Sequence, residues 1–359
     1  MSEWKEYKLG DLISIKYGKD HKGLKDGPYP VYGSGGVMRY ADKYLYDKES
    51  ILIPRKGSLN NIFYQDRAFW TVDTMFWSEI DTTKVFPKFL YYQLTLVDFE
   101  NLNVGSAVPS LTIPIINDVD VSLPPLDEQK RIAGVLSSLD DKIDLLNREN
   151  ATLEALAETL FRHYFIENPD PSWKEGKLGD EFEFTMGQSP SGDSFNEDGI
   201  GIPMYQGNAD FGFRFPTRRV YTTAPTRFAE ENDTLISVRA PVGAQNMASE
   251  KCCIGRGVAA FRHKDKSLYS YTYYKLKSLL EDIRQFNDNG TVFGSISKSD
   301  FENIDIVIPN RDSIVAFQKQ AMPIDEKIRT NHKQILVLSA QRDSLLPRLM
   351  SGEVAVVAQ

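Results

Sequence analysis

The chain has 359 residues, enough for two or three domains that each bury a core, and at 41% hydrophobic and 26% charged it is too apolar for a disordered polypeptide. Its formal net charge of −8 argues against a uniformly basic nucleic-acid binder. No apolar run approaches the roughly 18 residues of a membrane span, and the opening MSEWKEYKLGD lacks an apolar signal core, so a cytoplasmic protein is expected. Cys252 and Cys253 are adjacent, and His21, His163, His263 and His332 are scattered, so neither a disulfide staple nor a metal site is expected.

Charge is placed unevenly. Residues 16–56 carry nine Lys/Arg against five Asp/Glu, residues 214–262 carry eight against four, and residues 126–165 carry eight acids against five bases. Two locally basic segments on an acidic chain fit local phosphate contacts, although solvated loops have the same composition.

In chain order, residues 1–125 hold short β-prone runs cut by Gly and Pro, such as ESILIPRKGS and AFWTVDTMFW, and an aromatic helix candidate at Phe86–Leu96. Residues 126–168 form a predicted helix. Its apolar stripe alternates steps of four and three through Ile132, Leu136, Leu139, Ile143, Leu146, Asn150, Leu153, Ala157, Leu160 and Tyr164. Asp127 is its cap candidate, and Asn168-Pro169 ends it. Residues 169–310 return to β-prone runs, DTLISVRAPVG and CCIGRGVAAF, with a second aromatic helix candidate at Leu268–Leu280. Residues 311–359 repeat the stripe through Phe317, Ala321, Ile324, Ile328, Ile335, Leu338, Leu345 and Leu349, with Asp312 as cap and Gly352 as stop. Pro323 inside this stripe is expected to kink or divide the helix.

The chain also repeats itself. WKEYKLGD (Trp4–Asp11) recurs as WKEGKLGD (Trp173–Asp180) at an offset of 169, while VDVSLP (Val119–Pro124) matches IDIVIP (Ile304–Pro309) at 185. LDDKI (Leu139–Ile143) over IDEKI (Ile324–Ile328) and GSAVPSLT (Gly105–Thr112) over GTVFGSIS (Gly290–Ser297) share the offset of 185. The second copy thus carries a net insertion of 185 − 169 = 16 residues between matching ends. The expected fold is α+β: two repeated globular domains and a long antiparallel two-helix coiled coil with approximate two-fold symmetry. Asn150, with Asn331 and Arg342 on the second helix, supplies polar seam residues that set register. The alternative is that each helix packs on its own domain.

No Walker-type G-x-x-x-x-G-K-[ST] is present, NPDPSW (Asn168–Trp173) departs from a catalytic Asn-Pro-Pro-aromatic element, and YGSGGV (Tyr32–Val37) lacks dinucleotide-binding spacing. What the domains offer is loop chemistry suited to DNA, because Arg and Lys bind phosphate or guanine and Asn and Gln pair with adenine. The candidates in the first domain are Lys19, His21, Lys22, Arg55, Lys56, Ser58, Asn60 and Asn61. Those in the second are Gln188, Ser189, Gln206, Asn208, Arg214, Arg218, Arg219, Arg239, Gln245 and Asn246. In each domain an Arg follows the central strand, Arg55 in ILIPR and Arg239 in LISVR.

This pattern resembles the DNA specificity subunits of type I restriction–modification systems across nearly the whole chain. The resemblance rests on two domains that each begin W-x-x-x-x-L-G-D, on LPPLDEQKRIAGVLSSLDDKIDLL (Leu123–Leu146), and on ISVRAPVGAQNMASEKCCIGRGVAAFR (Ile236–Arg262). WTVDTMFW (Trp70–Trp77) and TMGQSPSG (Thr185–Gly192) resemble other recurring segments. It implies a non-catalytic subunit that reads a bipartite double-stranded DNA target, docks two adenine methyltransferase subunits and restriction–translocase subunits, and uses paired helices to set half-site spacing. S-adenosylmethionine, ATP and Mg would then belong to those partners. Pro323, and Ser313-Ile314 in place of Glu128-Gln129, depart from the common pattern and leave the start of the second helix open. The competing readings are a self-contained DNA-modifying nuclease or methyltransferase, and a coiled-coil scaffold that does not bind DNA.

Overall fold

A computed structural model describes residues 4–105, 107–239, 241–285 and 296–356. Most of the GTVFGSIS segment, with Ser106 and Ala240, lies outside the described residues. The chain divides into two units, residues 1–145 with 335–359 and residues 146–334, so each contains a globular part and a stretch of both long helices.

The first unit runs β1 (Lys5–Lys8), β2 (Ile13–Tyr17), β3 (Tyr29–Gly33), β4 (Gly36–Ala41), β5 (Ser50–Pro54), β6 (Phe63–Gln65), β7 (Trp70–Thr71), β8 (Met75–Ile80), α1 (Pro87–Leu94), α2 (Ile113–Asn117) and β9 (Asp120–Leu123). These strands form a sheet ordered β2-β8-β5-β6, a second ordered β4-β3-β7, and a β1·β9 ribbon. ILIP is buried throughout because β5 is a central strand, which explains why it reads as a continuous apolar run.

The long helix α3 (Leu126–Arg162) follows and ends in a short π-helical stretch over His163–Glu167. The second unit then runs β10 (Lys174–Lys177), α4 (Leu178–Glu181), β11 (Phe182–Met186), β12 (Phe195–Asn196), β13 (Ile202–Tyr205), β14 (Val220–Thr222), β15 (Phe228–Ala229), β16 (Thr234–Ser237), β17 (Gln245–Met247), β18 (Cys252–Ile254), β19 (Val258–His263), α5 (Tyr269–Ser278), α6 (Leu280–Gln285), α7 (Lys298–Glu302) and β20 (Asp305–Ile308). Its sheets are ordered β11-β19-β16-β17 and β12-β14-β13-β18-β15, with a β10·β20 ribbon.

The two topologies are the same plan. In each unit a four-stranded antiparallel sheet pairs the first core strand with the last, and the second sheet contains a parallel pair, β3·β7 or β13·β18. The recurring W-x-x-x-x-L-G-D segment closes each domain by the same bonds. Lys8 bridges to Asp120 at 2.8 Å as Lys177 does to Asp305 at 2.6 Å, and Asp11 and Asp180 accept the amides of Lys8 and Lys177. The repeat in sequence is therefore a repeated clasp between the two ends of a domain.

The helix α8 (Arg311–Met350) is continuous through Pro323, which corrects the expectation of a divided helix. Its cap is also corrected. The Asn310 side chain, two residues before the expected Asp312, accepts the amide of Ser313 at 2.9 Å. Asp127 likewise sits inside the first turn of α3, where the Pro125 carbonyl accepts the amides of Glu128 and Gln129. Where Ile314 replaces Gln129 in the 185-residue alignment, Gln318 takes over one helical turn later. Gln129 accepts the amide of Phe86 at 2.8 Å, and Gln318 accepts that of Tyr271 at 3.0 Å, since a shift of four residues keeps the same helix face.

Within each unit the helices pair. In the second, Glu149 meets Lys327 at 3.3 Å, Asn150 meets Asn331, and the Phe161 and Phe317 rings lie 5.5 Å apart, so rising numbers on α3 meet falling numbers on α8 and the pair is antiparallel. In the first, Asp140 meets Arg342 at 2.9 Å, and Ile132 and Leu136 share a core cluster with Leu345 and Leu349. Ile132, Leu136, Leu146, Asn150 and Ile328 are buried, and Leu139, Ile143, Leu153, Leu160, Ile324, Ile335, Leu338 and Leu345 are partly so, as a seam requires.

Candidate nucleic-acid interface

Loops at one end of the sheets gather into a cleft in each unit. In the second, the segment after β11 brings Ser189, the segment after β13 brings Gln206, Gly207 and Asn208, the end of β16 leads to Arg239, and the turn before β19 brings Arg256 and Gly257. Two glycines let these loops close on each other. A Cβ at Gly187 would stand 2.1 Å from the Gly255 carbonyl oxygen, and one at Gly257 the same distance from that of Gln206. The Arg256 amide donates to Ser189 Oγ at 3.3 Å, and the Gln206 amide donates to the buried Asp210 at 2.6 Å. Gln206, Asn208, Arg239 and Arg256 face solvent, and among the described residues no carboxylate lies within ion-pair distance of either arginine. Sequence reasoning missed Arg256, whose signal was the Gly-Arg-Gly turn of CCIGRGVAAF.

The first unit builds the same kind of cleft from Asp20, His21, Lys22, Ser34, Gly35, Asp73 and Thr74. Gly18 is the counterpart of Gly187, since its Cβ would stand 2.0 Å from the Val72 carbonyl oxygen. The Lys19 backbone donates its amide to Thr71 and its carbonyl accepts the Trp70 indole N–H at 2.9 Å, and its exposed ammonium has no carboxylate within ion-pair distance among the described residues. Asn61 reaches the same loop by donating to the Ser34 carbonyl at 3.1 Å. Lys56 and Ser58 are exposed, whereas Asn60 turns to Asp98 at 3.4 Å and to the Glu100 amide.

Strand register corrects the pairing of the two arginines. Ile53 faces Phe76 as Ile236 faces Ala259, so the residue matching Arg239 is Lys56, and Arg55 matches Val238. Arg55 accordingly bends back, donating to the Asp73 carbonyl at 3.1 Å with its guanidinium 5.4 Å from the Tyr17 ring.

Three further expectations in the second domain, those for Arg214, Asn246 and Gln245, are corrected, whereas Arg218, Arg219 and Gln188 stay at the surface. Arg214 is 2% exposed and lies between Glu154 and Asp325, so it is not placed to touch DNA. Asn246 is fully buried, accepting the Gly212 amide at 3.1 Å and donating to the Gly212 carbonyl at 2.9 Å. Gln245 donates inward to the Tyr273 carbonyl at 2.7 Å. Arg218 and Arg219 remain exposed but are held by Glu250 at 2.5 Å and Asp210 at 2.6 Å. Gln188 is exposed, its carbonyl accepting the Thr226 hydroxyl.

No helix among the described residues is long and apolar enough to cross a membrane, and no described group of three or more His, Cys, Asp or Glu is arranged to hold a metal ion.

The chain is similar over its whole length to the S subunit of a type I restriction–modification system from M. genitalium, with a TM-score of 0.67, 20% identity and 97% of that chain covered, which establishes the fold. A family model for the type I restriction modification DNA specificity domain matches twice, over residues 1–155 and 171–336. The chain therefore belongs to the type I restriction–modification DNA specificity family. Among relatives, it is 31% identical to a protein of Methanocaldococcus jannaschii provisionally named the MjaX type I restriction enzyme specificity subunit, over 76% of this chain and 69% of that one. It is 23% identical to the HindI specificity subunit of Haemophilus influenzae over 99% of this chain and 100% of that one. It is thus a type I specificity subunit, the non-catalytic component, and its two matched domains are the two α+β repeats described above.

Proposed function

We propose that each cleft reads one half of a bipartite double-stranded DNA target, and that the paired helices set the number of base pairs between the halves. The observation that carries this reading is the recurrence of one loop cluster in both units, with Lys19, Lys22 and Lys56 around one cleft and Arg239 and Arg256 around the other, none of which has a carboxylate within ion-pair distance among the described residues. Cations bound to carboxylates gain little from phosphate, whereas unpaired ones release counterions when they meet it. Gln206, Asn208 and the arginines supply the donor and acceptor groups that distinguish base edges in the major groove. Asp73 in the first cleft stands where Arg256 stands in the second, so the two would prefer different bases.

On this reading the chain docks two adenine methyltransferase subunits and restriction–translocase subunits, and S-adenosylmethionine, ATP and Mg act on those chains. The rival scaffold without DNA binding is separated by a salt titration: phosphate contacts give a steep fall of affinity with salt, and a scaffold gives no binding to titrate. A self-contained enzyme would modify DNA without partners. The ruler is tested by inserting four residues into each long helix, which adds roughly 6 Å, close to two base-pair steps of about 3.4 Å. Methylome sequencing should then show a longer spacer with the same half-sites; altered half-sites with the old spacer would overturn it.

A further inference from the structure

The segment joining β13 to β14 spans residues 206–219, whereas β3 and β4 are joined by residues 34–35 alone. Its extra length folds into a small hairpin closed by a Phe211·Pro216 bridge. One end of this segment builds the cleft, through Gln206 and Asn208, and Asp210 ties that end together by accepting the Gln206 amide and the Arg219 guanidinium. The other end lands on the long helices of the same unit. Phe215 is buried with its ring 5.0 Å from that of His332, and the Arg329 guanidinium lies 5.0 Å from it.

Arg214 is the centre of this landing. Its guanidinium lies 3.2 Å from Asp325 on α8 and 3.8 Å from Glu154 on α3, donates to the Tyr274 hydroxyl at 2.6 Å, and covers the Tyr273 ring at 3.8 Å. Glu154 also meets Lys277. A planar cation clamped between two buried carboxylates and an aromatic face has little freedom to shift, and removing it would leave buried negative charge uncompensated.

The first unit solves the same problem differently. There Asp140 on α3, the counterpart of Asp325 at the 185-residue offset, accepts the Tyr92 hydroxyl at 2.6 Å and a guanidinium from the facing helix, that of Arg342 on α8. The counterpart of Arg342 is Ala157, which is fully buried. The helices of the second unit thus lack that arginine, and the recognition domain supplies one from a loop it does not share with the first.

Resting on the reading of the cleft as a recognition surface, we propose that Arg214 is a positioning residue: it fixes where the second cleft stands on the helix pair and so controls discrimination at one half-site without touching DNA. The test uses the complex of the chain with its methyltransferase subunits and competitor duplexes altered in one half-site or the other. Arg214→Ala should lower the melting temperature and reduce discrimination at the half-site read by the second cleft by about tenfold or more, the scale of a mismatched base pair, while the other half-site keeps its discrimination. Arg214→Ala combined with Ala157→Arg returns a guanidinium to Asp325 from the helix, as in the first unit, but leaves the loop untethered. Melting temperature should recover and discrimination should not. Recovery of both together, or full discrimination in Arg214→Ala alone, overturns the proposal. If either variant fails to fold, Arg214→Lys keeps the charge without the planar fork, and wild-type discrimination there overturns it equally. Failure of the underlying reading looks different: Arg239→Ala and Arg256→Ala would then leave both half-sites untouched.

Discussion

Asn331 donates its side-chain N–H to the side-chain oxygen of Asn150 across 2.9 Å, and both residues are sealed from solvent in the seam between α3 and α8. The Asn331 oxygen has no partner among the described residues, so the pair is costly as well as specific. Such a pair stabilises one register by making every other register bury an unmatched amide. Asn331→Ala should therefore lower stability by roughly 1–3 kcal/mol in urea denaturation. The double change of Asn150 and Asn331 to Leu should restore or exceed wild-type stability. A double variant less stable than either single one would contradict this.

Glu181 supplies a pH prediction. Its carboxyl is buried, which pushes it up to about 7, while the hydrogen bond from Tyr271 at 2.9 Å offsets part of the effect. In the unfolded chain it ionises near 4.5, so between these values only the folded state holds the proton. Its contribution to stability is complete below about 4.5 and is lost as pH rises through about 7. Glu181→Gln should raise the melting temperature at pH 8 and leave it nearly unchanged at pH 4.5. An equal gain at both would show that ionisation is not the cause.

Close approach of backbone supplies another. At Gly187 an added methyl would overlap the Gly255 carbonyl, and at Gly18 that of Val72. Gly187→Ala should impair discrimination at one half-site and Gly18→Ala at the other, read by competition binding. Wild-type discrimination in both would show that the clefts are not the reading surfaces.

Much of this architecture was legible in the sequence because repetition and heptad spacing are properties of the chain alone. The seam from Ile132 to Leu160 and from Ile324 to Leu345 follows from spacing, and the 169-residue repeat marks the clasp of Lys8 and Lys177. What was not legible depends on how segments meet. Arg214 and Asn246 look like exposed loop residues until the 206–219 hairpin folds back and buries them. Arg55 and Arg239 look equivalent until strand register shifts one by a residue. Gln318 is invisible as the partner of Gln129 because a whole helical turn separates the aligned positions. Arg256 gains its significance only when the turn before β19 brings it beside Gln206 and Arg239.

The central claim, two clefts reading two half-sites, is tested most directly by Lys56→Ala and Arg239→Ala, which occupy matching positions after β5 and β16. Each should weaken DNA binding and, if the side chain meets phosphate, lower the slope of log affinity against log salt by about one. Methylome sequencing of cells carrying each variant with its methyltransferase should show relaxed sequence at one half-site for Lys56→Ala and at the other for Arg239→Ala. Relaxation of the same half-site by both, or of both halves by either, would contradict the account.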